Sequence, residues 1–551
     1  MKKKKAAIKT GIGICVVLAA AGVTGRQIER WGLGRKAEES KENITEIHLG
    51  AVLEDNTSFQ EGESIEENRF LDWILEDLDI RIVYDWVYSR EEFKKNINLY
   101  IECDALPDAL IVSEEQYRKM LEYGQLQPLT DVYESAASDQ IKAFVASGGE
   151  EIIAAVTEDG EMMAIPFPNL TASGINVMWI RQDWLDQLGL EVPQTMEEIM
   201  QTSRMFVENQ MGGEGTIGIL GPGMEDELVA VGKCCFGLNP VFASYHAYPK
   251  YWVEDEEGEI VYGSVQREAR DALEMLADLY RQGLLDQELF SRTDTQEMLN
   301  AGKVGILFGP WWAAESLKND IIENKSEWKA YGAPVDEQGE YVCQMPRSVN
   351  QYLVIHKKCE NPEAVIQILN YGISSYRLWS KEKLLDEIDV RIYPLGWEWD
   401  FANELEYTYE VLREVMDGTE NEHDLLHHKL LSQDIENLKA LNQPPYDEFG
   451  IEDCEEDGQR FIRLYGILNG VKPIVEKTYE PVFSLFSGQT ETMKMKWKEL
   501  EEMENEVYAK IILNQKPIEA FDEFVEQWKE NGGAQIEKEV RALFMEKEEN
   551  H

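Results

Sequence analysis

The chain has 551 residues, enough for two or more domains, with 43% hydrophobic and 10% aromatic content to fill sizeable cores. It carries 105 acidic against 53 basic side chains, a net charge of −52. A charge of that sign and size repels phosphate backbones and anionic lipid surfaces, so nucleic acid is excluded as a partner, and the acidity reads as a solvated surface.

At the start, Lys2 to Lys5 and Lys9 precede an apolar run from Gly11 to Val23, and no acidic residue comes before Glu29. A basic segment followed by a short apolar one predicts that residues 1–26 are a signal peptide or a membrane anchor, with the rest exported. The seven cysteines (15, 103, 234, 235, 343, 359 and 454) have no C-x-x-C or metal-ligand spacing and are expected to be mostly small buried hydrophobes.

From Ile44 strand and helix alternate: ITEIHLGAV, ENRFLDWILEDLD, IRIVYDWV, REEFKKNINLYIEC, DALIVS, EEQYRKMLEYG. Such units predict a parallel sheet wound by right-handed crossovers, with ligand beyond the carboxyl ends of the strands. That rule selects Glu54 and Asp55 after the first strand, Asp85 and Trp86 at the second, and Ser113 and Glu114 after the third.

Residues 164–189, AIPFPNLTASGINVMWIRQDWLDQLG, read as a chain leaving one α/β lobe for another: an extended proline-stiffened piece, a strand, and a helical turn closed by Gly189. Thr195 and Glu198 have capping-box spacing, so a helix starts at Met196. A longer helix is expected over about 265–281, stopped at Gly283, then a buried strand over 303–309 that ends at Pro310-Trp311-Trp312. The strand QYLVIHK and a helix opening at Pro362 follow, then acidic helical sequence, and a last amphipathic helix from Thr490 with Met493, Trp497, Leu500, Val507 and Ile511 on one face.

Two lobes joined by several crossings enclose a cleft. Trp86, Phe167, Trp311, Trp312, Trp397 and Trp399 fall at predicted strand edges or in loops, where flat rings stack on sugar faces while nearby carboxylates and amides take hydroxyls. Trp311 and Trp312 are adjacent beyond a strand, a placement that does not let both enter one core. His423, His427 and His428 include an i, i+4 pair but no H-E-x-x-H, and read as a solvated helix face. Neither a nucleophile elbow, a phosphate loop nor a metal triad occurs, so no cofactor or metal is expected and the chain is read as a binding protein, not an enzyme.

GKVGILFGPWWAAESL resembles the segment of family 1 extracellular solute-binding proteins of bacterial ABC importers in which an apolar strand reaches a Gly-Pro-Trp turn facing the ligand cleft. IPFPN with NVMWIRQDWLDQLGLEVPQT is similar to the same family, and residues 492–536 to its long Gram-positive, lipoprotein-type members. The resemblance runs from about residue 44 to the end. It implies an α/β, two-lobed periplasmic-binding-protein fold of type II, with interleaved lobes and a hinge, that captures a carbohydrate and delivers it to the transmembrane subunits of an ABC permease at the outer face of the cytoplasmic membrane. The Gly309–Trp312 turn would supply a stacking ring, Asn169 would line the hinge side, and the acids after the first strand would face the sugar. Two departures stand out: Leu18-Ala19-Ala20-Ala21 has alanine where lipoprotein members carry cysteine, and residues 207–215 are poor in the oxygen ligands of the calcium-binding loop of many relatives.

The expected organisation is 1–26 as the export segment, 44–165 as the first part of lobe 1, 166–333 as the first part of lobe 2, 334–400 as a return to lobe 1, and 401–551 as a helical part packed mainly on lobe 2. A monomer is expected, touching the membrane only through its N-terminus. Two other readings stay open on the residues alone: a surface sensor feeding a membrane histidine kinase, and a carbohydrate-active hydrolase with paired carboxylates among its 105 acids.

Overall fold

Side-chain alternation along Thr45–Leu53 sends Ile47, Leu49 and Ala51 inward and leaves Glu46 and Val52 outside, the period-2 signature of a strand. The computed structural model describes residues 44–54, 57–224, 226–231, 235–255, 257–381, 389–396, 400–419, 421, 423, 428, 430–441 and 458–549. Residues 1–26, expected to be an export segment, lie outside them. In chain order the strands that build the frame are β1 (Thr45–Leu53), β2 (Ile80–Ser89), β3 (Ala109–Val112), β4 (Ile165–Pro168), β5 (Val177–Arg181), β6 (Ile217–Ile219), β7 (Val304–Gly309), β8 (Trp328–Tyr331), β9 (Tyr341–Gln344), β10 (Val349–Ile355) and β11 (Tyr479–Val482).

The first sheet has the order β2-β1-β3-β10-β4. Strands β1, β2 and β3 are parallel, linked by helices Arg69–Leu78 and Arg90–Glu102, and β10 runs antiparallel to both β3 and β4. Each crossover helix has a local reason to start where it does. The Asn68 side chain accepts from the backbone of Phe70 and Leu71, and Ser89 with Glu92 forms a reciprocal capping box. Their inward faces, Phe70 with Ile74 and Ile97 with Ile101, fill one core together with Phe144, Phe167 and Leu353.

The second sheet has the order β8-β5-β7-β6, with β7 parallel to β6 and β5 antiparallel to its neighbours β7 and β8. Every residue of β5 and β7 is buried, because both faces are covered. Met178, Ile180, Ile306 and Phe308 face a core shared with helices Arg267–Arg281, Glu491–Ile512 and Ala520–Trp528. Val177, Trp179, Val304 and Leu307 face another, shared with helices Ala314–Asn324, Glu404–Met416 and Gly458–Tyr465.

The chain passes between these sheets from β4 to β5 through a 3-10 turn at Ala172–Gly174, and again from β8 to β10 by way of β9. A further passage runs from Leu395 and Phe401 in the first core to Leu405 in the third. Two boundaries differ from the sequence reading. Strand β4 straddles the expected break at 165/166 and is hydrogen-bonded to β10 in the first sheet along its whole length, so the crossing falls after Pro168. Strand β9 does not enter the first sheet; it pairs with β11, and Tyr341 and Cys343 join the third core. Elsewhere the local signals match: Gly189 closes its helix at φ 65°, and Thr195 with Glu198 makes the capping box. Cys343 and Cys359 are buried free thiols and Cys103 an exposed one, and Cys235 is buried.

Candidate functional site

Pairing of Pro168 with Val349, and of Val112 with Tyr352, places the carboxyl ends of β3 and β4 and the start of β10 on one edge of the first sheet. Only eight residues separate Pro168 from Val177, the first residue of β5, which pairs with Gly309 at the end of β7. The Gly309-Pro310-Trp311-Trp312 turn therefore leaves the second sheet on the edge turned toward the first.

Trp311 and Trp312 open a 3-10 turn, and both are half-buried against the third core. The Trp311 indole N–H donates to Ser173 Oγ at 3.0 Å, inside the first crossover. A π-turn, Gly466–Val471, packs against its backbone: a β-carbon on Gly470 would come within 2.6 Å of Trp311 Cα. Glycine is what permits this approach. Above the ring, at 5.7 Å from its centre, lies the Arg463 guanidinium, held by paired 2.9 Å bonds to Asp434, which is fully buried.

Glu54, at the end of β1, is bound by the Arg90 guanidinium, and this bond holds its carboxyl below the ordinary range. Ser113 caps helix Glu114–Glu122. Glu114 accepts from Arg118 Nε at 2.8 Å, from Arg347 Nη1 at 2.8 Å and from Ser487 Oγ at 2.6 Å, so protein donors already occupy it. Asn169 braces two crossings: its backbone N–H donates to Ser348 O at 2.8 Å and its Nδ2 to Arg347 O at 2.6 Å. Near the same crossover, burial pushes the Glu406 carboxyl up to about 7, against the Ala172 backbone.

Three expected site residues lie elsewhere. Strand β2 runs on to Ser89, so Asp85 and Trp86 are not at its end. Asp85 is the extra residue of a bulge opposite Leu49 and Gly50, its carboxylate 2.6 Å from His48 Nδ1. Trp86 folds over Gly50 into the first core, stacked on Tyr88 at 5.0 Å. Phe167 is 1% exposed and meets Phe144 edge-on, so it is a core ring. Asp55, Trp397 and Trp399 lie outside the described residues. Sequence reading missed Arg347, Ser487, Ser173 and Arg463, whose partners are distant in the chain. His428 is not solvated: it is buried, 2.7 Å from Glu404 Oε2 and stacked on Tyr407.

Among the described residues, no group of three or more His, Cys, Asp or Glu is placed to hold a metal ion, and no helix is long and apolar enough to cross a membrane.

A family model described as bacterial extracellular solute-binding protein matches residues 75–375. The polygalacturonan/rhamnogalacturonan-binding protein YtcQ of Bacillus subtilis (strain 168) is 25% identical over 256 residues, 43% of this chain and 49% of that protein. The fructooligosaccharide ABC transporter substrate-binding protein FusA of Streptococcus pneumoniae serotype 4 is 23% identical over 222 residues, 37% of this chain and 39% of that protein. The chain thus matches half or less of each curated relative's length. An extracellular solute-binding protein from Bifidobacterium longum subsp. infantis superposes with a TM-score of 0.60 at 14% identity, covering 92% of this chain and 99% of that one. That likeness is one of fold.

Proposed function

Because this chain belongs to the bacterial extracellular solute-binding protein family, we propose that it captures an oligosaccharide between its two lobes by hinge closure and hands it to an ABC permease. The observation that carries this reading is Trp311, held at the end of a buried strand on the edge turned toward the other lobe and fixed at both its N–H and its face. An immobilised ring is a stacking platform that loses little entropy when a sugar face covers it. Asn169, Ser348 and Ala402 brace the crossings on which closure would turn, with Thr171 N–H donating to Ala402 O at 2.9 Å. The polygalacturonan and fructooligosaccharide relatives support a sugar as the ligand class. In this reading the protein works as a monomer at the outer face of the cytoplasmic membrane, and its task is binding without turnover.

A thermal-shift screen of the purified protein against acidic and neutral oligosaccharides tests the reading, since a ligand bound only by the folded state raises the melting temperature by mass action. Stabilisation by at least one oligosaccharide, with the sugar recovered intact, is the expected result. Hydrolysis of the bound sugar, or stabilisation by none while an unrelated solute class succeeds, would overturn it.

A further inference from the structure

A cavity of about 420 Å³ lies between the lobes, lined by Arg118 and Arg347 on one side and by residues 484–489 with Leu543 and Phe544 on the other. Arg118 belongs to the first lobe, one turn into the helix that begins after β3, and Arg347 to the crossover before β10. The facing loop is anchored to the second lobe: Leu485 N–H donates to Trp252 O at 2.8 Å, Trp252 N–H donates to Ser484 Oγ at 3.1 Å, and Phe486 packs edge-on against Trp252. The cavity is therefore walled by both lobes, and Ser487 reaches across it to Glu114.

Its charge does not balance. Two guanidiniums share one carboxylate: Glu114 Oε1 accepts from Arg118 and Arg347, and Arg347 also lies 2.7 Å from Oε2. Burial pulls the Arg347 guanidinium below its ordinary range, with Glu114, Arg118 and Tyr352 as the groups acting on it. Among the described residues Glu114 is the carboxylate paired with both, so two positive charges meet one negative charge at side chains still about one-third exposed, 31% for Arg118 and 36% for Arg347. A guanidinium fork bonded on one side still presents N–H groups on the other, and these match a carboxylate in geometry as well as charge.

We propose that this cavity is an anion subsite, and that the captured oligosaccharide carries a carboxylate, as a uronic acid does, which Arg118 and Arg347 bind there. The inference rests on the capture reading above and gives the ligand its charge. It also gives closure an electrostatic component, because the ligand carboxylate would sit between arginines of one lobe and the Ser487 loop of the other. Phe486, Leu543 and Phe544 form the apolar wall against which the sugar ring would lie.

Calorimetric titration of the full chain with trigalacturonate, with its fully methyl-esterified neutral form, and with kestose tests this. Trigalacturonate should bind at least about tenfold more tightly than the ester, the scale of one charge-assisted hydrogen bond, and the difference should shrink with added salt. Arg347→Gln and Arg118→Gln should each reduce that preference, while Glu114→Gln, which removes the competing carboxylate, should raise it. Circular dichroism melts identify any variant that does not fold, and Arg118→Gln serves if Arg347→Gln fails. Equal affinity for acid and ester, or a preference unchanged in a folded Arg118→Gln variant, would overturn the subsite. Tight binding of kestose without trigalacturonate would also overturn it while leaving capture intact; binding of no oligosaccharide would sink the capture reading itself.

Discussion

Trp311 donates its indole N–H to the hydroxyl of Ser173 at 3.0 Å, which ties the ring at the end of β7 to the crossover between the sheets. The ring that we propose meets the ligand is thus bonded to a segment that must turn if the lobes close. Trp311→Ala should weaken oligosaccharide binding by roughly 1–3 kcal/mol, the loss of an aromatic anchor. Ser173→Ala, which keeps the ring but frees its N–H, should cost about 0.5–1.5 kcal/mol, the worth of one hydrogen bond. Calorimetry on both variants, with melting curves to confirm folding, checks the order. A folded Trp311→Ala protein with wild-type affinity would remove the ring from the site.

Arg463 does two things at once: it lies over the Trp311 ring and it neutralises Asp434, which is fully buried. Arg463→Met should therefore destabilise the protein by roughly 3–5 kcal/mol, chiefly by leaving Asp434 buried without a cation. Adding Asp434→Leu should recover most of that stability, because replacing both partners removes the buried charge. Urea unfolding of the wild type and the two variants measures this, and a double variant no more stable than the single one would count against the pairing.

Glu504 is buried in the second core, accepting from Tyr262 Oη at 3.0 Å and Ser264 Oγ at 2.9 Å. Burial pushes its carboxyl up to about 7, against 4.5 for the free side chain. Below the unfolded value it is protonated in both states and has no effect. As pH rises from about 4.5 to 7, the unfolded chain releases the proton while the folded one keeps it, so stability falls through that window. The full loss, no more than roughly 3 kcal/mol, is reached above the folded value. Glu504→Gln should remove this slope, which denaturant unfolding at pH 5 and pH 8 would show. An unchanged pH dependence in the variant would mean that another group carries it.

How much of this is readable from the chain depends on how local the cause is. The crossover helices, the capping boxes at Ser89 and Thr195, and β7 with its Gly-Pro-Trp turn follow from patterns within a dozen residues. The positions of Asp85 and Trp86 do not, because IRIVYDWVYS is one unbroken strand pattern and the bulge that turns Trp86 inward depends on Gly50 across the sheet. Phe167 sits between two prolines that suggest a loop, yet all four residues of β4 are buried, since β10 and the helix carrying Phe144 cover it. The Glu114 contacts are the extreme case. Arg347 and Ser487 lie 233 and 373 residues away in sequence, and no spacing rule joins them.

The most direct test of the two-lobed clamp is small-angle X-ray scattering of the protein with and without a saturating oligosaccharide that calorimetry has shown to bind. The account predicts a smaller radius of gyration in the bound state, as the edges carrying Trp311 and Glu114 draw together. An unchanged radius at full occupancy would contradict capture by closure.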